Sequence, residues 1–305
     1  MKFGKLSNID QVDFSLPADP IETSQVLRQL PNDGLTPRAY IGCTGWSMKE
    51  WVGNTYPPGT KAKDYLKYYA KQFNTIELNT THYRIPDIST IEKWIKESTD
   101  DFMFCPKIPQ SISHNVDLGI GSGLLVQFCD VIQRLDQKLG CCFMQMPPYF
   151  GANRLWQIEE FLNHFPNHIP LAIEVRHDSW FESEKASKSL FDLLEKRQFA
   201  SVITDVAGRR DVLHQRVTRE IAMIRFVGNG LVDSDYQRID EWVQKLKLWF
   251  EQGLYQVFFF THEPDNLLAP ELALYLTQEL QKHCKVICRG PTLPYEVEGQ
   301  QISLF

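Results

Sequence analysis

Short apolar runs alternate with amphipathic stretches along most of this sequence. From residue 40 onward, eight runs have strand character, beginning with YIGCT and ending with QVFFFT, and nearly all are followed by apolar residues at helical spacing. Strands that alternate with helices are typical of parallel α/β folds. Eight such units over roughly 250 residues predict a single (β/α)8 TIM barrel. An open doubly wound sheet is the alternative, but it usually binds ligands behind a glycine-rich first turn.

Both ends of the sequence fall outside this repeating pattern. Residues 1–38 are predicted to form an N-terminal extension with one helical stretch, IETSQVLRQL, which the breaker PNDGLTP follows. The barrel domain is predicted to span residues 39–290. Residues 291–305 are predicted to form a short polar C-terminal tail that contains Pro and Gly.

The run LAIEVRHDSW, residues 171–180, gives the clearest indication of a site. Because side chains alternate along a strand, Glu174 and Arg176 lie on one face. Charged groups at the end of a buried strand are costly unless they are paired or used. Other strands also end in polar residues, at the end where TIM barrels place active sites. Alternation predicts that eight polar residues face inward: Glu77, Asn79, Lys107, Gln145, Glu174, Arg176, Asp205 and Arg225. Thr204, the neighbour of Asp205, is then predicted to face the helices.

The positive members of this set suit an anionic substrate. Lys107, Arg176 and Arg225 are predicted to clamp a phosphate or carboxylate group, because charge-assisted hydrogen bonds to such groups are strong. Asn79 and Gln145 add neutral hydrogen-bonding groups for the same substrate. The sequence therefore predicts substrate-binding roles for all five residues.

The negative members are the candidates for catalysis. Glu174 is the predicted general base, with Glu77 or Asp205 as its partner. Three alternatives stay open. The charges could form only a buried ion-pair network. The carboxylates and nearby histidines could hold a divalent metal, although the cations would compete and no HExxH spacing is present. A desolvated Lys107 is also able to form a Schiff base. No other cofactor is indicated.

Composition narrows the class of protein. The net charge is -6 and the pI is about 5.8, so no global basic field is available to hold nucleic acid. Seven cysteines without CxxC spacing indicate reduced, packed thiols. The first residues do not resemble a signal peptide, and no run has the length of a membrane span. These features predict a cytoplasmic protein without a membrane partner.

Several motifs occur in a specific order: IGCTGWSMKEW, ELNTTHYRIP, FCPKIPQSISH, QMPP and EVRHDSW. Together they resemble the YecE-like family, also known as domain of unknown function 72, from about residue 40 to residue 270. The resemblance implies a bacterial cytoplasmic TIM barrel, related in shape to sugar isomerases and apurinic endonucleases, without an established reaction. It adds Tyr83, His114 and Trp180 to the predicted substrate-binding residues. After the eighth strand this chain has THEPDN where many relatives have an Asn-rich turn, so His262 and Asn266 receive no role.

These observations lead to one functional hypothesis and two competitors. The leading hypothesis is an enzyme, in the phosphoester hydrolase class, that acts on a small anionic substrate or nucleic-acid fragment by acid–base chemistry. A non-catalytic barrel that binds a ligand or nucleic acid is the first competitor. A carbohydrate hydrolase or isomerase is the second, but retaining barrel glycosidases commonly carry carboxylates after strands four and seven, where this chain has Gln145 and Arg225.

The last five residues of the sequence suggest a protein partner. Gln301, Ile302, Ser303, Leu304 and Phe305 closely resemble the pentapeptide that binds the bacterial sliding clamp. The apolar pair Leu304 and Phe305 is predicted to anchor in a pocket of that clamp. Packing of this segment on its own barrel is the alternative, since short motifs often occur by chance.

Overall fold

The computed structural model describes residues 4–30 and 34–295 of the chain. Most strand residues in this part are buried, as expected for parallel strands that helices cover on the outside. Every pairing between strands is parallel. The strands are β1 Arg38–Gly42, β2 Thr75–Leu78, β3 Met103–Pro106, β4 Cys142–Gln145, β5 Leu171–Glu174, β6 Ala200–Asp205, β7 Ile221–Val227, β8 Gln256–His262 and β9 Ile287–Arg289.

The strands form two parallel sheets. Seven strands make one sheet in the order β4-β5-β6-β7-β8-β1-β9, and β2 pairs with β3 alone. The structure therefore confirms an α/β fold with a mostly parallel central sheet. The expected uninterrupted, closed ladder of eight strands is not present among the described residues.

The gap between β1 and β2 has a physical cause. Strand β9 pairs with the first three residues of β1, on the edge opposite β8. The Asn74 side chain also hydrogen-bonds to the backbone of β1: it accepts from the Ile41 N–H (2.7 Å) and donates to the Ala39 carbonyl (3.0 Å). A backbone hydrogen bond from Glu77 to Cys43 (3.0 Å) also crosses this gap.

Two backbone hydrogen bonds cross the second gap, between β3 and β4. The Gly140 N–H donates to the Phe104 carbonyl, and the Ile108 N–H donates to the Phe143 carbonyl, both at 2.8 Å. These bonds flank β3 at its two ends. They hold the two-stranded sheet against the larger one.

Helices follow most strands and cover their outer faces. The first turn of the third helix is capped by Asp87, whose carboxylate accepts from the Thr90 N–H at 2.7 Å. The α-helices of the described residues are α1 Ile21–Gln29, α2 Tyr65–Gln72, α3 Ile88–Glu97, α4 Gln110–Ser113, α5 Leu124–Ile132, α6 Leu155–His164, α7 Glu184–Lys196, α8 Asp233–Gln252 and α9 Ala269–His283. None of them is long and apolar enough to cross a membrane.

Alternate strand residues point away from these helices into a shared apolar group, which we call the inner cluster. Seven of the strands contribute to it, either directly or through an adjoining residue. Its buried members are Tyr40, Cys105, Cys141, Phe143, Ala172, Ala200, Val202, Ile221, Met223, Phe258 and Phe260. Residues on the same strand faces, but nearer the C-terminal ends, lie above this cluster and form the candidate site.

The N-terminal extension packs along the side formed by β6, β7 and α8. It contains the predicted helix, α1, whose Thr23 hydroxyl donates to the Gln215 carbonyl (2.7 Å). The Gly208 N–H also donates to the Gly4 carbonyl (2.8 Å). The predicted clamp-binding residues 301–305 lie outside the described residues.

Candidate functional site

Six of the polar residues predicted from strand alternation come together above the inner cluster. They come from five strands or from the one or two residues that follow a strand: Glu77 of β2, Lys107 after β3, Gln145 of β4, Glu174 of β5, Arg176 after β5 and Arg225 of β7. We call these six residues the charged cluster. Cations of the cluster lie over the ring of Phe143, a member of the inner cluster, at 5.5–5.8 Å from its centre.

Arg225 is the centre of the charged cluster. Its Nε and Nη2 donate to the two oxygens of Glu77, both at 2.8 Å, in a bidentate pair. Its Nη1 donates to Glu174 Oε2 at 2.7 Å and contacts Gln145 Oε1 at 3.4 Å. Because β2 and β7 belong to different sheets, this single side chain joins the two sheets at the site.

A second cation holds the other oxygen of Glu174. Arg176 Nε donates to Glu174 Oε1 at 2.6 Å, and the Thr204 hydroxyl donates to the same oxygen at 3.2 Å. Glu174 therefore receives hydrogen bonds from two arginines and one hydroxyl. This network fixes the carboxylate in one orientation.

Lys107 differs from the two arginines. It is 7% exposed, and its Nζ donates to the neutral oxygen Gln145 Oε1 at 3.2 Å. Within the described part of the chain, no carboxylate lies at salt-bridge distance from this ammonium. Burial, together with the charge of Arg225, lowers the pKa of Lys107 to about 8.

The protonation states of the carboxylates follow from their partners. Burial opposes ionisation of Glu77, but Arg225 outweighs it and holds the pKa of Glu77 well below its ordinary value. Burial also opposes ionisation of Glu174, but the charges of Arg176 and Arg225 have the larger effect and lower its pKa to about 2. At neutral pH, two carboxylates therefore face two arginines and Lys107, and one positive charge is left over.

Two further side chains support Glu77. Asn79 Nδ2 donates to Glu77 Oε1 at 2.8 Å, and His262 Nε2 lies 2.9 Å from Oε2. Burial lowers the pKa of His262, so this contact is a neutral imidazole N–H that donates to the carboxylate. The sequence places His262 at a strand end but assigns it no role. His262 lies two residues after Phe260 and four after Phe258, so it is on the same strand face, and this alternation is the signal that could have placed it in the site.

The predicted residues Tyr83 and His114 lie at the rim of the site, beside His82. The ring of His82 contacts the rings of Tyr83 (5.4 Å between centres) and His114 (5.7 Å). Burial and the charge of Lys107 lower the pKa of His82 to about 4 and that of His114 in the same direction. Tyr83 is 77% exposed, so its ring is available to a ligand.

Asp205 does not belong to the site, and its predicted inward orientation is wrong. Its carboxylate accepts from Arg238 Nη2 (2.6 Å) and Trp242 Nε1 (2.8 Å) of α8, and it also pairs with Arg210. The neighbouring Thr204 faces Glu174 instead. The parity of β6 is thus the reverse of the predicted one, which removes Asp205 as the partner of Glu174.

Trp180 is also placed differently from the prediction. It is fully buried, its indole N–H donates to the Phe150 carbonyl (2.7 Å), and its ring stacks on that of Phe150. A ring enclosed in this way cannot make a stacking wall for a substrate. Trp180 instead anchors the loop that follows β4.

The metal alternative finds no support in the arrangement of side chains. Among residues 4–30 and 34–295, no three His, Cys, Asp or Glu side chains are grouped so that they could hold a metal ion. Glu77 and Glu174 are instead occupied by arginine donors. The donor set of the charged cluster thus fits an anion better than a cation.

A further buried carboxylate, Glu263, lies beside the site and was not singled out from the sequence. Glu263 follows His262, and both line a cavity of about 210 Å³ between the ends of β7 and β8 and the N-terminal extension. Glu263 Oε2 accepts from the Gly230 N–H at 2.8 Å, whereas Oε1 has no hydrogen-bond partner in the described structure. Burial raises the pKa of Glu263 to about 7.

Comparison with known proteins identifies the family. The family model "Protein of unknown function DUF72" matches residues 40–296. The chain is 32% identical to UPF0759 protein YecE of Escherichia coli K12 over 286 residues, which cover 87% of this chain and 99% of that protein. It is 29% identical to UPF0759 protein YunF of Bacillus subtilis over 149 residues, or 47% of this chain and 52% of that protein.

Solved structures of the same family share the fold. A DUF72 family protein from Enterococcus faecalis superposes with a TM-score of 0.67 at 19% identity, covering 85% of this chain and all of the other. A DUF72 family protein from Thermotoga maritima superposes with a TM-score of 0.60 at 23% identity, covering 80% and 99%. With the family model spanning most of the sequence, the chain belongs to the DUF72 family of proteins of unknown function.

Proposed function

We propose that the charged cluster binds an anionic substrate, of the phosphate ester class, and that the protein is an enzyme acting by acid–base chemistry. The observation that carries this proposal is Lys107, a buried ammonium with no carboxylate partner at salt-bridge distance in the described residues. A buried charge without compensation is costly, and a bound anion would supply that compensation. The single excess positive charge of the cluster points the same way.

The roles within the cluster differ from those expected from the sequence. Arg225 divides its charge between Glu77 and Glu174, so it serves to hold these carboxylates rather than to bind the substrate directly. A pKa of about 2 makes Glu174 a weak base. We therefore assign Glu174 and Glu77 positioning roles. Lys107, whose pKa lies near neutrality, becomes the candidate proton donor.

Around Lys107, the remaining substrate-binding groups are Arg176, Asn79 and Gln145. Arg176 is 5% exposed and lies beside Glu174, which fixes its guanidinium. The exposed ring of Tyr83 would contact a part of the substrate farther from the anion. A sugar or a base carries a flat face that suits such a ring.

Anion binding is tested by thermal denaturation with inorganic phosphate, sulfate and nucleotides. A ligand that binds only the folded state raises the melting temperature as its concentration exceeds Kd. We expect phosphate to stabilise the wild type, and Lys107→Gln and Arg176→Ala to abolish the shift while remaining folded. Arg176→Lys should also be impaired, because a point charge does not reproduce a planar guanidinium.

The exposed Lys188 provides a control cation, since it pairs with Asp192 on the surface of α7. Lys188→Gln should respond to phosphate as the wild type does. If no anion stabilises the wild type, the proposal is wrong. Anion binding without turnover of phosphomonoesters, phosphodiesters or oligonucleotides would favour the non-catalytic binding protein instead.

We also propose that the two sheets complete one (β/α)8 barrel. Backbone bonds that cross both gaps support this closure, and so does the Arg225–Glu77 pair that joins β7 to β2. In a barrel, the charged cluster would occupy the C-terminal face on which such folds carry their active sites. A crystal structure in which β1–β2 or β3–β4 are separated by solvent would refute closure.

A further inference from the structure

The side chains around Lys107 suit a covalent reaction as well as an ionic contact. Its Nζ makes one hydrogen bond, to a neutral amide oxygen, and lies over the Phe143 ring at 5.8 Å. The nitrogen lone pair becomes available once the ammonium loses a proton, and no carboxylate of the described residues lies at salt-bridge distance to oppose that loss directly. The side chain as a whole keeps 7% of its surface exposed to solvent.

Another lysine of the same chain shows what a purely structural buried lysine looks like. Lys138 is 9% exposed, and its Nζ donates to the carbonyls of Ile95 (2.8 Å) and Ser98 (3.0 Å) and to the Ser98 hydroxyl (2.9 Å). Three acceptors use all three protons of that ammonium. Lys107 is similarly buried, but in the described structure its ammonium has a single hydrogen-bond acceptor, Gln145 Oε1.

We propose that Lys107 is a covalent site that forms an imine with a carbonyl substrate bearing an anionic group. This inference rests on the proposed function, because the anion would be held by Arg176 and the amide groups while the carbonyl carbon meets Nζ. It narrows the substrate class from a phosphate ester in general to an aldehyde or ketone that carries a phosphate or carboxylate.

The reaction is balanced without any redox partner. The lone pair of the neutral amine attacks the carbonyl carbon, a C–N bond forms, and the C=O π bond breaks. The nitrogen loses one proton and the carbonyl oxygen takes one up, which gives a carbinolamine. The hydroxyl then takes up a second proton, the C–O bond breaks and water leaves, while the nitrogen lone pair forms the C=N bond and the nitrogen gives up its last proton. The products are one imine and one water, and no net proton is gained or lost from the neutral amine.

The charges that face Lys107 set its pH dependence. Arg225 and Arg176 favour the neutral amine, Glu77 and Glu174 favour the ammonium, and burial tips the balance toward the amine. His82 and His114 at the rim keep neutral imidazoles near neutral pH, since burial and Lys107 lower their pKa. These rings are the candidate carriers of the two protons that move from the nitrogen to the departing oxygen.

The test is reductive trapping. The full chain is incubated with glycolaldehyde phosphate and sodium cyanoborohydride, and modified lysines are quantified by peptide mass spectrometry. Lys107 should be labelled at least about tenfold faster than the exposed Lys93, because a pKa of about 8 gives more free amine than a lysine ordinarily has. It should also be labelled faster than Lys138, whose ammonium is held by three acceptors. Labelling should rise from pH 6 to pH 8, and inorganic phosphate should slow it.

Lys107→Arg separates this inference from the proposed function, since arginine keeps the positive charge but forms no such imine. It should retain stabilisation by phosphate and lose the dominant label. If phosphate stabilises both proteins but Lys107 is labelled no faster than Lys93, the covalent site is wrong and the anion site stands. If neutral glycolaldehyde labels Lys107 selectively while no anion binds, the anion site and the anionic substrate class are both wrong, and only the reactivity of Lys107 toward carbonyls is supported.

Discussion

At the scale of single residues, the two buried ion pairs of Arg225 are the main electrostatic feature of the site. It is 2% exposed and pairs with two carboxylates that are themselves buried. Burial alone would lower the pKa of this guanidinium, but Glu174 and Glu77 raise it instead. Removing one partner from such a group leaves uncompensated buried charge, which costs more than the original pair contributes.

We therefore expect Arg225→Met to lower the free energy of unfolding at pH 7 by about 3–5 kcal/mol, measured by urea denaturation. In the wild type, Glu77 and Glu174 have pKa values below those of the unfolded chain, so their contribution is present above about pH 4.5 and is lost as pH falls. In the variant, Glu77 and Glu174 lose the guanidinium that favours their ionised form, so they protonate more readily as pH falls. The difference between the proteins should therefore shrink toward acidic pH.

Lys188→Met is the matched control, because the ion pair of Lys188 with Asp192 (2.9 Å) is exposed. We expect it to change stability by no more than about 0.5 kcal/mol. If Arg225→Met is no more destabilising than this control, the two carboxylates do not depend on Arg225 as the structure indicates.

Strand alternation was sufficient to predict six members of the site because it is a local rule. Glu77, Gln145 and Arg225 each lie at or near the C-terminal end of a strand, and the inward positions of a strand are two residues apart. What they contact was not predictable, because the bond from Arg225 to Glu77 joins residues 148 positions apart on different sheets. The role of each charge depends on these contacts. Without them, the sequence predicted that Arg225 binds the substrate, whereas in the structure it holds the carboxylates of Glu77 and Glu174.

At the scale of elements, β6 shows where the alternation rule fails. All six of its residues are buried, so no pattern of polar and apolar positions marks which face is which. A buried strand with helices outside and strands opposite accepts a polar group on either face if a partner is present. Arg238 and Trp242 on α8 supply that partner for Asp205.

This placement predicts different effects for two adjacent residues of β6. Asp205→Asn should destabilise the fold by about 3 kcal/mol, since it removes the charge that pairs with Arg238 and Arg210. It should leave the affinity for phosphate unchanged when measured by calorimetry on the folded protein. Thr204→Val removes a hydrogen bond to Glu174 and should cost only about 1 kcal/mol, but it should weaken phosphate binding.

A comparison of the two substitutions shows which of these residues of β6 faces the site. A loss of phosphate binding in Asp205→Asn, with Thr204→Val unaffected, would mean that Asp205 faces the site after all. Equal effects of both substitutions on binding would mean that the affinity depends on the general stability of β6.

The break between β1 and β2 is another element-scale feature that the sequence did not reveal. It depends on β9, a three-residue strand near the end of the described chain, and on the Asn74 side chain. Both act across long sequence separations, and neither changes the hydrophobic pattern of β1. The α/β class was therefore predictable, whereas the continuity of the hydrogen-bond ladder was not.

At the scale of the whole molecule, the site and the chain carry opposite charge. The net charge of the chain is -6, whereas the charged cluster has one excess positive charge when Lys107 is protonated. Long-range attraction of a nucleic acid to this protein would be weak, since such attraction depends on a broad basic surface. A partner that brings the protein to its substrate would remove that limitation by raising the effective concentration.

The last five residues supply the candidate for such a partner. We expect the full chain to bind a purified bacterial sliding clamp through Gln301, Leu304 and Phe305, measured by surface plasmon resonance on the immobilised clamp. A synthetic peptide of residues 296–305 should compete, because short anchored motifs bind through a few buried side chains. The double substitution Leu304→Ala plus Phe305→Ala should abolish binding while leaving the melting temperature and the phosphate response unchanged. Equal retention of the wild type and this variant would show that the motif does not recruit the clamp, and the proposed substrate of the charged cluster would then be a small anion that reaches the site without such a partner.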